Sequence, residues 1–334
     1  MLRFVGKKVQ DDVTNQFGVT LIPAGSLLDV EMIGLLANHR IDLFNLKFLN
    51  PNPNLAINFV DQAVLRSKEL FESIELTGEV PLEEIQGEVI PLVLQVSRHS
   101  NLFQLFESVK AVDEYTYQHN IGVGILSTLI GRWMELSEED LEVLSIAGTL
   151  HDVGKVYIPA EILNKPGKLT AEEYDLVKQH SWYGYELLSR IPDLDPRIPL
   201  AALQHHERND GLGYPYGVKE PEIELFSKII AVADIFHAMS SRRSYHEPRA
   251  FYQIMEQMRN GIFGLLDPLI VTLFLDRIMD RMVGEQVVLT DGQIGEVISL
   301  NPHQPLAPLV KVGSEFIDLS RRTDMHIHSI FISA

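Results

Sequence analysis

The sequence predicts a mainly α protein with small β-rich modules at its N- and C-terminal ends. Apolar residues recur at helical spacing from Leu55 to about Arg281, capping signals punctuate that stretch, and strand-like alternation is confined to the two ends.

From the N-terminus, LRFVGKKV alternates as a strand does, and PAGSLLDVEMIGLLANHRI reads as a turn at Pro23 and Gly25 followed by a helix. PNPN, Pro51 to Asn54, is a connector. AINFVDQAVLRSKELFESI then takes up helical spacing, and a turn follows near Gly78 to Pro81. Between Pro81 and Arg281 helix follows helix with short breaks. Ser137 with Asp140 and Thr170 with Glu173 have the spacing of capping boxes, and Asp267 before Pro268 reads as an N-cap and the first helical residue. After Gly284 the runs EQVVLT, QIGEVISL, PLVKV and FIDL are strand-like, split by Asp291-Gly292 and by proline. The chain therefore divides into residues 1–97, a β/α module with connecting helices suited to regulation; residues 98–282, a helical domain; and residues 283–334, a small β-rich module.

At 334 residues, with 46% hydrophobic and 22% charged residues, the chain can bury a sizeable core. Cysteine is absent, which excludes disulfides and thiolate ligands and leaves His, Asp and Glu to hold any metal. That donor set favours Mn or Fe, with Zn also compatible. The net charge of −18 argues against a duplex nucleic-acid surface, because such surfaces neutralise phosphates with clustered Lys and Arg. A small phosphorylated ligand fits if metals supply the positive charge. The opening MLRFVGKKVQDD lacks the apolar core of a signal peptide, and Asp267 and Pro268 interrupt the most apolar late segment. The expectation is a cytoplasmic chain without a membrane span.

Within the helical domain the histidines fall at helix ends or on one side of helices: His119 in YTYQHN, His151-Asp152 in AGTLHDVGK, His180 in YDLVKQH, and His205-His206, with Asp234 in IIAVADIF. Each alone is commonplace. Together they are economically explained by a metal, since burying His151, Asp152 and Asp234 amid AGTL and IIAVA costs several kcal/mol per uncompensated charge and a cation removes that cost.

The sequence HDVGKVYIPAEILNKPGKLTAEEYDLVKQH, then HHERNDGLGYP, then IIAVADIFHAMSSRRSYH, resembles the HD-GYP subfamily of the HD superfamily of metal-dependent phosphohydrolases over roughly residues 98 to 265. The resemblance implies an HD-type helical bundle holding two or three metals, usually Fe or Mn, with Zn and Ni as alternatives. It implies cyclic di-GMP as substrate, opened to linear pGpG and cleaved on to GMP by a metal-activated bridging hydroxide. It makes His119, His151, Asp152 and Asp234 the ligands of one metal and His180, His205 and His206 those of the other, with Asp152 bridging. Two such ions about 3.5–4 Å apart can activate a shared water while clamping a phosphoryl oxygen.

The same resemblance makes Lys155 a phosphate contact, catalytic together with Asp152. Tyr214 and Arg243 become substrate contacts, and Gly213 lets the loop backbone swing close to the ligand. Glu207 receives no ligand role, a solvent-facing helix end accounting for it, and His326 and His328 read as exposed. Two departures, His237 where many relatives carry Asp and His246 after SY, fall on the expected substrate side. Trinuclear relatives add a Glu four residues before the first His; here that position is Tyr115, so two divalent ions are expected. The competing readings are a non-hydrolytic cyclic dinucleotide receptor and a hydrolase of another cyclic dinucleotide. The end modules are where a homodimer contact or a signalling partner would form.

Overall fold

The computed structural model describes the chain except residues 1–7, 16–18, 27, 40, 42–45, 47, 50–52, 100, 111–114, 166, 242–249, 262–263, 323 and 332–334. The N-terminal module contains β1 (Lys8–Val9), β2 (Val13–Thr14), β3 (Thr20–Ile22), α1 (Val30–Asn38) and β4 (Phe48–Leu49). β1 pairs with β4 and β2 with β3, both antiparallel. Val9, Val13, Ile22, Leu28, Ile33 and Leu36 make a separate small core there.

α2 (Pro53–Thr77) stops at Gly78, whose φ of +69° suits glycine. α3 (Leu82–Glu84) passes through a π-helical turn, Ile85–Val89, into α4 (Ile90–Val96). Pro91 accounts for that turn: it offers no N–H and its ring crowds the carbonyl four residues back, so the helix widens before it. α5 (Leu102–Val109) is capped by Asn101, whose side chain accepts from the N–H of Phe103 and Gln104.

The bundle continues with α6 (Tyr115–Trp133), α7 (Glu138–Leu150), a 3-10 turn at Val153–Tyr157, α8 (Ala160–Leu163), α9 (Ala171–Lys178), α10 (His180–Ser189) and α11 (Arg197–Gln204). α12 (Leu225–Ser240), α13 (Phe251–Glu256) and α14 (Pro268–Met282) complete it. Thr170 and Glu173 form the full capping box expected of them. Ser137 caps α7, but the Asp140 carboxylate takes the Ser137 hydroxyl and Arg197, 2.7 Å away, instead of returning to the cap's backbone. Asp267 caps α14 through the N–H of Leu269 and Ile270 with Pro268 beside it, as the sequence implied.

α6 is the bundle's central helix, packed against α7 and α12, and Ile121, Val123, Ile125, Leu126 and Ile130 along it are fully buried. One continuous core joins them to Val60, Phe71 and Ile74 of α2 and to Val93 of α4. It also takes in Val287, Val297 and Val310 of the C-terminal sheet. Residues 97 and 282 are therefore not breaks in the hydrophobic core; among the described residues the N-terminal module has a core of its own.

That sheet contains β5 (Gln286–Leu289), β6 (Ile294–Ser299), β7 (Leu309–Val312), β8 (Glu315–Asp318) and β9 (Ile327–Ile330), antiparallel in the order β8-β7-β6-β5-β9. Gly292, φ +85°, serves the β5–β6 turn. His328 is exposed, whereas His326 stacks on Tyr252 of α13 with ring centroids 4.5 Å apart, tying the sheet to the bundle. Among the described residues no helix is long and apolar enough to cross a membrane.

Candidate metal centre

Most of the candidate ligands stand at helix ends, where the chain can turn a side chain inward. His151 ends α7 and Asp152 opens the 3-10 turn; His180 begins α10; His205 ends α11 with His206 next; His119 and Asp234 project from within α6 and α12.

Glycines bring these ends together. A Cβ on Gly124 would sit 2.5 Å from Thr149 Oγ1, and one on Gly148 would sit 3.0 Å from Gly124 Cα, so α6 and α7 touch nearly backbone to backbone. The His119 and His151 rings consequently lie 5.4 Å apart between centroids. A Cβ on Gly154 would fall 2.0 Å from the carbonyl oxygen of His180 and 2.4 Å from the N of Gly184. That close seat presses the start of α10 onto the turn that carries Asp152.

Two groups of donor atoms result, each within 4.8 Å internally: His119, His151 and Asp234, and Asp152, His180, His205 and His206. Asp152 faces both. Its Oδ2 lies 3.4 Å from His151 Nε2 and 3.7 Å from His119 Nε2, while its Oδ1 lies 3.2 Å from His180 Nε2 and 3.7 Å from His205 Nε2. His119 Nε2 is 3.1 Å from Asp234 Oδ1.

The protons of the rings are set by backbone. Nδ1–H of His151 donates to the Gly148 carbonyl at 2.7 Å, that of His180 to Val177 at 2.6 Å, and that of His205 to Ala202 at 3.0 Å. A carbonyl can only accept, so Nδ1 holds a proton in each ring and Nε2 is the nitrogen that points at the shared space. His205 is held down to about 4 and His206 well below the ordinary imidazole range, chiefly by burial. Burial works against ionised Asp152, but Lys155 and His151 outweigh it and hold the carboxyl well below its usual range. For Asp234, likewise, burial is outweighed by His119, and its pKa is lowered. His151 Nε2 and Asp152 Oδ1 are buried without a hydrogen-bond partner among the described residues. Bare imidazole nitrogens around ionised carboxylates, with no sulfur, are the donor set of a first-row divalent cation.

Around this centre the outcomes differ. Lys155 does not stand in solvent: its ammonium pairs with Asp152 Oδ2 one helical turn away. Tyr214 lies against His206 with centroids 4.6 Å apart, and burial pushes its phenol up. A Cβ on Gly213 would be 2.5 Å from Glu207 Cα and Arg208 N and 2.6 Å from the His206 carbonyl oxygen, so this glycine lets the loop fold onto its own stem. Glu207 requires correction, being buried and not solvent-facing. Its Oε1 accepts the N–H of Tyr216 at 2.7 Å and of Gly217 at 3.1 Å, which fastens the loop carrying Tyr214. The only sequence signal for it is an acid placed just before a glycine-rich turn. His237 is wholly buried behind His119 and does not stand on an open substrate side. Arg243 and His246 lie outside the described residues, as do Asp113, Glu114 and the side chain of Tyr115.

The helix ends of the bundle thus converge on two linked His/Asp clusters that could hold divalent metal ions. Residues 104–265 match the HD domain family. The chain is 36% identical over 219 residues to the cyclic di-GMP phosphodiesterase PA4108 of Pseudomonas aeruginosa, covering 65% of this chain and 52% of that one. It is 41% identical over 181 residues to a cyclic di-GMP phosphodiesterase of Thermotoga maritima, covering 52% and 49%. It is 32% identical over 222 residues to 3'3'-cGAMP-specific phosphodiesterase 2 of Vibrio cholerae, covering 66% and 40%. The chain thus spans about half or less of the length of these relatives. The solved structure of Bd1817, an HDG"Y"P protein from Bdellovibrio bacteriovorus, shares the fold with a TM-score of 0.56 at 15% identity, over 83% of this chain and 97% of that one.

Proposed function

We propose that this chain is a metal-dependent phosphodiesterase that hydrolyses cyclic di-GMP to linear pGpG and on to GMP. The observation that carries the reading is the Asp152 carboxylate with one oxygen turned to each histidine cluster, the arrangement a bridging ligand of a binuclear centre needs. His119, His151 and Asp234 would hold one divalent ion and His180, His205 and His206 the other, with Asp152 shared. Fe or Mn fits the sulfur-free donors best. When bound, the pair would polarise a phosphoryl oxygen and activate water at neutral pH.

The chain's own groups do the rest. Lys155, held at Asp152, places a cation beside the centre where charge develops on phosphoryl and leaving oxygens. Tyr214 offers a ring wall beside His206, and the Glu207 clasp keeps that wall in place. Arg243, from its place in the motif, would meet a phosphate or a guanine edge. In a chain of net charge −18, an anionic substrate needs these local cations.

The similarity to the 3'3'-cGAMP-specific enzyme supports a second reading, in which the mixed dinucleotide is preferred. Turnover of cyclic di-GMP, 3'3'-cGAMP and cyclic di-AMP by Mn- and Fe-loaded protein, with linear and mononucleotide products resolved, decides between them. Stoichiometric binding with no product from any of the three would sink both and support a receptor.

A further inference from the structure

His151 and His205 end their helices, where the last carbonyls lack intrahelical partners and can take an imidazole proton. His119 lies inside α6, and its Nδ1 meets a group carried by another helix. The group that meets it is His237 of α12, Nδ1 to Nδ1 at 3.0 Å.

We infer that His237 is a positioning residue that fixes which nitrogen of His119 faces the metal cluster. The His237 Nε2 lies 2.7 Å from the Val109 carbonyl oxygen, at the end of α5. The carbonyl can only accept, so Nε2 carries the ring's proton. The ring carries a single proton, because it is wholly buried and burial disfavours the charged form. His237 Nδ1 is therefore a bare acceptor. Two bare nitrogens at that separation repel, so His119 donates from Nδ1 and leaves Nε2 as a lone pair. Ser241 Oγ, 3.4 Å from His237 Nδ1, is more distant than His119 and its hydroxyl can turn to share the same acceptor. The result is a relay from the Val109 carbonyl through two imidazoles to a bare nitrogen 3.1 Å from Asp234 Oδ1. A lone pair aimed at a carboxylate oxygen is favourable only with a cation between them. In this respect the inference rests on the metal reading above.

The seat for the ring is built into α6. A Cβ on Gly122 would lie 2.2 Å from His237 Nε2, so only glycine there leaves room for this imidazole. Gly122 and His237, far apart in the chain, are two halves of one device.

The test uses the full chain. Histidine-ring ¹⁵N–¹H correlation spectra of the Zn-loaded protein should show His237 protonated at Nε2 and bare at Nδ1, and His119 protonated at Nδ1. The opposite tautomer of His237 would overturn the inference. In metal titrations, His237→Phe should weaken the His119 cluster by about 10–100-fold, as loss of a ligand's hydrogen-bond partner commonly does, and leave the His180 cluster unchanged. His237→Asn, whose amide oxygen can accept from His119, should recover part of the loss. If the Phe variant does not fold, the wild-type tautomers still decide. Two ions in wild type with unchanged affinity in both variants would remove His237's role alone, whereas no ion at either cluster in wild type would remove the metal reading as well.

Discussion

Asp152 Oδ1 stands 3.2 Å from His180 Nε2, while the other oxygen of the same carboxylate faces His151, His119 and the ammonium of Lys155. A single side chain is thus common to both clusters, and its removal has a different consequence from the removal of any one histidine.

Asp152→Ala is expected to lower metal content from two ions to none and to reduce turnover on the order of 10³-fold or more. Lys155→Ala should keep both ions and lose rate by about 10²-fold with little change in KM, since the ammonium acts on charge that develops in the transition state. Metal analysis beside steady-state kinetics checks both. Equal loss of metal in the two variants would contradict the division of roles.

Gly154→Ala places a methyl 2.0 Å from the His180 carbonyl oxygen, against backbone that cannot rotate away. The expected cost is about 1–3 kcal/mol or more in denaturant unfolding, with weakened binding at the His180 cluster as α10 is pushed off Asp152. Gly167→Ala makes a useful contrast: nothing lies within 4 Å of its Cβ, so any cost there comes only from its φ of +120° and the metal affinity should not move.

Glu207→Ala removes the acceptor of two backbone N–H groups in the loop around Tyr214. Such a loss costs about 1–3 kcal/mol where the donors stay buried. The metal count should stay at two, KM should rise several-fold, and Glu207→Gln should restore part of it through its amide oxygen. A fall in metal content with unchanged KM would show that Glu207 acts on the metal centre and not on the loop.

The ion-free protein should be acid-sensitive. His205 is held down to about 4 and His237 to about 3, each chiefly by burial, against 6.5 for an ordinary imidazole. Between pH 6.5 and those values the unfolded chain binds protons that the folded chain refuses, so stability is greatest above about 6.5 and is lost as pH falls towards 3 to 4. The lowered carboxyls of Asp152 and Asp234 extend the loss below pH 3.8. Urea midpoints should fall between pH 7 and pH 4 by the equivalent of on the order of 2–5 kcal/mol, and Mn at pH 7 should raise them. Midpoints that rise on acidification would mean that these rings are already charged in the folded state.

The helices and their caps were legible because their signals are local. The Thr170–Glu173 box, the Asp267–Pro268 start of α14 and the strands around Asp291-Gly292 each depend on residues a few positions apart. That the seven candidate ligands gather into two groups was foreshadowed for a related reason: their residue types, next to apolar runs, have few other economical explanations. Glu207 was misread because nothing within HHERNDGLGYP shows that the loop folds back on its own stem. The split of the chain at residues 97 and 282 marked changes of texture, and texture does not reveal that α2 and the C-terminal sheet share the core of α6.

By itself, then, the sequence determined a mainly α chain with β-rich ends, and a sulfur-free set of His and Asp able to hold cations. Only the tertiary structure decided that Asp152 faces both clusters, that Lys155 pairs with it, and that His237 stands behind His119 with its other nitrogen on Val109. Helical period and capping act over one turn of chain, about 5 Å, whereas these contacts join residues up to 128 positions apart and exist only where Gly122, Gly148 and Gly154 let the backbones close to contact.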